Sequence, residues 1–259
     1  MSFRIRISDG GSGAAWRGLL AGTAVLAAVM TAAPSVAQVR FAAERERMAA
    51  EIVAMARETG SETGRPAFSD RVMAAMRTVP RHRFVPQSLA VSAYENRPLA
   101  IGDGQTISQP YIVALMTELL DPKPGDVVLE VGTGSGYQAA VLAEIVADVY
   151  TIEIVESLGR KAAAILSELG YTNVITRIGD GYNGWKEQAP FDGILVTAAP
   201  VEVPQPLIDQ LKPGARLVIP VGGRFDVQDL LVIEKKADGS TLTRHTIPVR
   251  FVPLTRERR

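Results

Sequence analysis

Asp126-Val-Val-Leu-Glu-Val-Gly-Thr-Gly-Ser-Gly-Tyr-Gln-Ala-Ala-Val-Leu-Ala143 reads in one pass as strand, turn and helix. The apolar run Val127 to Val131 suits a strand covered on both faces. Gly132, Gly134 and Gly136 supply a turn whose backbone takes positive φ and approaches a bound group with no Cβ in the way. A helix opening near Tyr137 aims its unpaired N–H groups into the crevice at the carboxyl end of that strand.

Spacing separates the kinds of nucleotide fold. The dinucleotide fingerprint G-x-G-x-x-G/A does not fit, because the third glycine comes one residue early and Tyr137 stands at the close-packing position. The pattern E-x-G-x-G-x-G, with Glu130 at its head, instead resembles motif I of S-adenosylmethionine (SAM)-dependent methyltransferases. Val149 to Glu153 reads as a second strand ending in an acid, 19 residues past Gly134. A carboxylate there can accept hydrogen bonds from both hydroxyls of a ribose. Ile178-Gly179-Asp180-Gly181 closes a third strand, where methyltransferases place an acid beside the adenine.

Composition narrows the chemistry. The chain has 259 residues, 47% of them hydrophobic, enough to bury a large core. Lys+Arg and Asp+Glu stand at 28 each, so no basic excess points to nucleic acid. The absence of Cys removes thiol nucleophiles, disulfides and thiolate metal sites. The only histidines, His82 and His245, lie 163 positions apart, which argues against a metal site or a Ser-His-Asp triad.

Residues 1–37 read as an export signal outside the fold. Arg4, Arg6 and Arg17 precede an apolar centre from Leu19 to Ala33, and Pro34-Ser35-Val36-Ala37 offers small residues for cleavage after Ala37. An uncleaved anchor or a plain cytosolic extension is the alternative. Cleavage would remove three basic residues and one acidic one, leaving 25 and 27.

Residues 38–120 form a helical and loop region. Helices are expected from Phe41 to Glu58, from Asp70 to Arg77 and from Tyr111 to Leu120. Between them, Pro80 to Pro86 and Gly102 to Pro110 read as loops. On spacing alone, Ser108 just before the third helix is a helix cap or a catalytic group. Residues 121–259 read as a doubly wound α/β sheet, Rossmann-like, closed by an antiparallel hairpin over Leu230–Lys235 and Leu242–Ile247 with an Asp238-Gly239 turn. His245 is expected as an ordinary sheet residue, and Tyr182 and Trp185 as packing groups.

Val79-Pro-Arg-His-Arg-Phe-Val-Pro86, Ala93-Tyr-Glu-Asn96 and Gly104-Gln-Thr-Ile-Ser-Gln-Pro-Tyr-Ile-Val-Ala114 closely resemble the protein-L-isoaspartate O-methyltransferase family. The likeness continues through the glycine turn, Gly179-Asp180-Gly181, Phe191-Asp-Gly-Ile194, Val218 to Gly223 and Val249 to Leu254. It implies a SAM-dependent methyltransferase sheet with an antiparallel last strand and N-terminal helices. It further implies methyl transfer from SAM, without metal, to the free carboxylate of L-isoaspartyl residues in damaged proteins; a monomer is expected. Carried over, Ser108 is the active-site serine and orients the substrate carboxylate. Gly132, Gly134 and Gly136 shape the methionine pocket, and Glu130 supports the loop. Glu153 binds ribose, and Asp180 with Gly181 lies beside adenine. The signal departs from the family habit of a cytosolic enzyme, so export is expected, with cytoplasm as the alternative. Two rival functions are a small-molecule methyltransferase and a noncatalytic module binding altered peptides. A nicotinamide dehydrogenase is set aside by the glycine spacing.

Overall fold

The computed structural model describes residues 36–223 and 226–256. The expected signal therefore lies, apart from Val36 and Ala37, outside the described residues.

Helix α1 (Val36–Glu58) starts five residues before the expected Phe41. The break after it holds a single turn, α2 (Gly60–Thr63), where a Cβ on Gly60 would press within 2.7 Å of Pro66. Helix α3 (Asp70–Thr78) follows. The Gly102–Pro110 stretch is not the loop that its polarity suggests. Strands β1 (Leu99–Gly102) and β2 (Gln105–Ile107) form an antiparallel hairpin, with Leu99 opposite Ile107. Its turn residues Asp103 and Gly104 both take positive φ, 52° and 72°, the geometry that matches strand twist in a two-residue hairpin. Helix α4 (Pro110–Leu120) then enters with proline in its first turn, where no N–H is needed.

The second half alternates strand and helix: β3 (Val127–Val131), α5 (Tyr137–Ala143), β4 (Asp148–Glu153), α6 (Glu156–Glu168), β5 (Val174–Ile178), β6 (Phe191–Val196), α7 (Gln205–Asp209), β7 (Leu211–Val221), β8 (Gln228–Lys235) and β9 (Thr241–Val249). The sheet order is β5-β4-β3-β6-β7-β8-β9. From β3 to β5 the chain winds outward on one side, then crosses back so that β6 lies on the other side of β3. That reversal opens a crevice at the carboxyl ends of β3 and β6, where doubly wound sheets bind ligands.

Alternate residues of β3 explain its unbroken apolar run. Val128 packs with α4 and α5 in one core, while Leu129 and Val131 join Ile194, Val196, Leu217 and Ile219 in a second core on the opposite face. β8 pairs antiparallel with β7, and β9 antiparallel with β8. The expected antiparallel pairing at the end of the chain is present. The strand that runs against the others is nonetheless β8, because two successive reversals bring β9 back into line with β7. Lys212-Pro213-Gly214 falls inside β7, at a register shift against β6, and is not a turn preceding it. His245 pairs opposite Leu231 on exposed β9. Trp185 packs edge-on against Tyr150, with ring centroids 5.2 Å apart. Tyr182 lies under the Arg256 guanidinium.

Candidate active site

The turn after β3 is tied across the sheet. Gly132 and Thr133 donate N–H bonds to the Ile152 carbonyl at 2.8 and 3.1 Å. Gly132 sits at φ +99°, and a Cβ there would stand 2.5 Å from the Thr197 Oγ1 just past β6. Thr197 turns that hydroxyl onto the Val131 and Gly132 carbonyls, so turn and β6 are fastened where the crevice opens. Gly134 N–H donates to Glu153 Oε2 at 2.7 Å, and Val155 N–H to Glu153 Oε1 at 2.9 Å. The carboxylate at the end of β4 thus holds the turn from the far side.

Glu130 is wholly buried beneath the turn. The Thr151 hydroxyl donates to its Oε2 at 2.5 Å, and the Thr133 hydroxyl lies 2.6 Å from that of Thr151. Oε1 of Glu130 is buried without a hydrogen-bond partner. Burial pushes the Glu130 carboxyl up to about 8, opposed by the Thr151 hydrogen bond and reinforced by the nearby charge of Glu153.

Above the turn lies a cavity with about 750 Å³ of empty space, open to solvent. Glu130, Gly132, Gly134, Glu153 and Gly181 line it, together with Thr133, Tyr137, Thr197 and the returning segment Val252–Thr255. Two predicted residues stand elsewhere. Gly136 is off the lining: at φ +88° it faces Leu166 and Ala162 of α6, 3.2 and 3.3 Å from where a Cβ would sit. It therefore provides the close helix packing that Tyr137 cannot. Asp180 is also off the lining, with Oδ1 accepting the Tyr182 N–H at 3.0 Å and Oδ2 lying 3.5 Å from Arg256 Nε. Its neighbour Gly181 makes the wall, packed so closely that a Cβ would run into Val131.

A second cavity adjoins the first. Pro98, Gln109, Ile112, Val227 and Pro248–Val252 line it, and Thr106, Ser108, Thr197 and Val252 line both. Ser108 is not a helix cap, since Gln109 occupies the N-cap position without a side-chain bond. The hairpin delivers Ser108 to the junction, and its carbonyl accepts a 2.7 Å bond from Arg81 Nη2. Among the described residues, no group of three or more His, Asp or Glu is placed to hold a metal.

Three parts of this site carry no role in the sequence reading. Thr197 looks like the ordinary end of a strand. The wall Val252–Thr255 is apolar but for one threonine, and is placed by backbone bonds, Ala199 N–H to Val252 O and Leu254 N–H to Ala199 O, both 2.8 Å. Arg81 sits in the Pro80–Pro86 stretch that reads as a loop, with no role given to its side chain, and it is completely buried.

Comparison with known proteins decides the family. The model for protein-L-isoaspartate(D-aspartate) O-methyltransferase (PCMT) matches residues 59–259. The chain belongs to this family. Among its family relatives, protein-L-isoaspartate O-methyltransferase 2 of a Polaromonas species is 61% identical over 211 residues, covering 82% of this chain and 100% of that protein. Protein-L-isoaspartate O-methyltransferase 1 of Cupriavidus necator is 57% identical over 233 residues, 89% of this chain and 90% of that one. A solved protein-L-isoaspartate O-methyltransferase superposes with a TM-score of 0.69 at 31% identity, over 81% of this chain and 65% of that one. A Plasmodium falciparum family structure, solved with S-adenosyl-L-homocysteine, shares the fold with a TM-score of 0.68 at 24% identity, over 84% of this chain and 99% of that one.

Proposed function

We infer that this family member transfers a methyl group from SAM to the free carboxylate of L-isoaspartyl residues in damaged proteins. The observation that carries the reading is the pair of cavities meeting at Ser108 and Thr197, one built on a nucleotide-type turn and the other open for a peptide. The first cavity fits SAM. Gly132 and Gly134 keep its floor free of side chains, Glu153 offers a carboxylate for ribose hydroxyls, and the unpartnered Oε1 of Glu130 is a vacant acceptor for a cationic ligand. Bound there, SAM supplies a methyl group on a sulfonium sulfur that leaves with its electron pair.

The residues of the chain have no proton to remove. A carboxylate is already ionised at neutral pH, with a reference value of about 4. Ser108 therefore acts by donating its hydroxyl hydrogen to the substrate carboxylate and fixing its approach. Among the described residues, no histidine lines either cavity to make the hydroxyl a nucleophile. Holding the two reactants in line and stripping water from the carboxylate supply the rate, with orientation able to contribute several kcal/mol. Gly181 packs the adenine side, with Asp180 bracing the turn behind it. The ester product then closes to a succinimide unaided, and hydrolysis returns part of it as normal aspartate. Incubating an isoaspartyl peptide with enzyme and SAM should therefore yield the aspartyl peptide over time. Ester formation without any aspartyl product would refute the repair role.

We further propose that residues 1–37 direct export and are cleaved after Ala37, and that the enzyme acts as a monomer. The arginines, apolar centre and small residues of that segment support export. Amino-terminal sequencing of protein from fractionated cells tests it, with Gln38 as the expected first residue and an intact start in the cytosolic fraction as the contrary result. Light scattering tests the monomer.

A further inference from the structure

Arg81 is the largest of the wholly buried side chains among the described residues. Its Nε donates to the Ala93 carbonyl and its Nη2 to the Ser108 carbonyl, each at 2.7 Å, and the guanidinium lies 4.7 Å above the Tyr137 ring. No carboxylate pairs with it among the described residues. Burial holds its pKa down at about 10, so it remains charged at neutral pH. A buried cation without a counter-ion costs several kcal/mol, far more than satisfying two carbonyls requires.

The location gives the charge a use. Tyr137 lines the SAM cavity, and Ser108 lines both cavities, so Arg81 lies directly behind their junction. The charged residues lining the SAM cavity, Glu130 and Glu153, are acids that repel an incoming carboxylate when ionised. Arg250 lines the outer cavity but is exposed, where solvent and salt screen it. We propose that Arg81 is a positioning residue for methyl transfer: its planar fork fixes the Ser108 peptide unit and hence the serine hydroxyl, and its charge draws the substrate carboxylate to the junction. This inference rests on the methyltransferase reading above.

The test compares the parent enzyme with Arg81→Lys and Arg81→Gln. It measures kcat and KM on an isoaspartyl peptide, SAM dissociation by equilibrium dialysis, and thermal midpoint. Lysine keeps the charge but loses the fork, so kcat should fall about tenfold or more while peptide KM stays within about threefold. Glutamine loses the charge as well, and KM should rise by about tenfold on top of that loss. SAM affinity should change less than about twofold in both. A merely structural role would lower the thermal midpoint yet leave kcat and KM of the folded enzyme at parental values, and that result overturns the proposal. So does a loss of SAM affinity in step with peptide KM. If Arg81→Gln does not fold, parental kcat in Arg81→Lys alone is decisive against it. A parent enzyme inactive on the peptide would instead sink the functional reading, which the variants cannot be blamed for.

Discussion

Glu130→Gln should make the ligand-free protein more stable at pH 8 and leave it nearly unchanged at pH 5. The Glu130 carboxyl, wholly buried with Oε1 unpartnered, is raised to about 8, against a value near 4.5 when the chain is unfolded. Because the folded value lies above the unfolded one, the neutral form fits the fold. Its full stability is present below about pH 4.5 and is lost as pH rises towards 8. Integrated over that window, the native state forfeits roughly 4 kcal/mol by pH 7.5 relative to acid conditions. Glutamine does not titrate, keeps an acceptor for the Thr151 hydroxyl, and costs about 1 kcal/mol for its imperfectly placed amide. Urea unfolding of both proteins at pH 5 and pH 8 reads the difference. The variant should be the more stable by roughly 3 kcal/mol at pH 8 and within about 0.5 kcal/mol of the parent at pH 5. A stability difference that does not change with pH would refute the buried-carboxyl argument.

Ser108→Ala should cut turnover about tenfold or more while SAM affinity, read by equilibrium dialysis, stays nearly unchanged; parental turnover would remove Ser108 from the mechanism. Gly132→Ala brings a Cβ to 2.5 Å from Thr197 Oγ1 at φ +99°. It should weaken SAM binding by about tenfold or more, through about 1–2 kcal/mol of backbone strain and the displaced Thr197 hydroxyl. Glu153→Ala orphans the Gly134 and Val155 N–H groups and removes the ribose acceptor. SAM dissociation should rise by more than about tenfold and the melting point should drop, while kcat at saturating SAM changes by only a few-fold.

The sheet and its turn were legible because their cause is local. Apolar runs with alternate residues facing two cores mark β3, β4 and β6, and the glycines of the turn are demanded by backbone angle and close approach. The β1–β2 hairpin was hidden by its shortness, four and three residues, although Asp103-Gly104 carries the turn signal. Gly136 reads as part of the pocket from spacing, yet its constraint comes from Ala162 and Leu166, side chains of a later helix. Asp180 is carried over as an adenine-side group from the family resemblance, and the fold adds that its Oδ1 caps its own turn. Arg81 was least visible of all. Its burial depends on carbonyls 12 and 27 residues away, which no local pattern encodes.

The most direct measurement incubates the purified chain with methyl-labelled SAM and two peptides that differ only in carrying aspartate or isoaspartate at one position. Base-labile label on the isoaspartyl peptide alone is the predicted result. Equal label on both peptides, or none on either while SAM binds, would contradict the account.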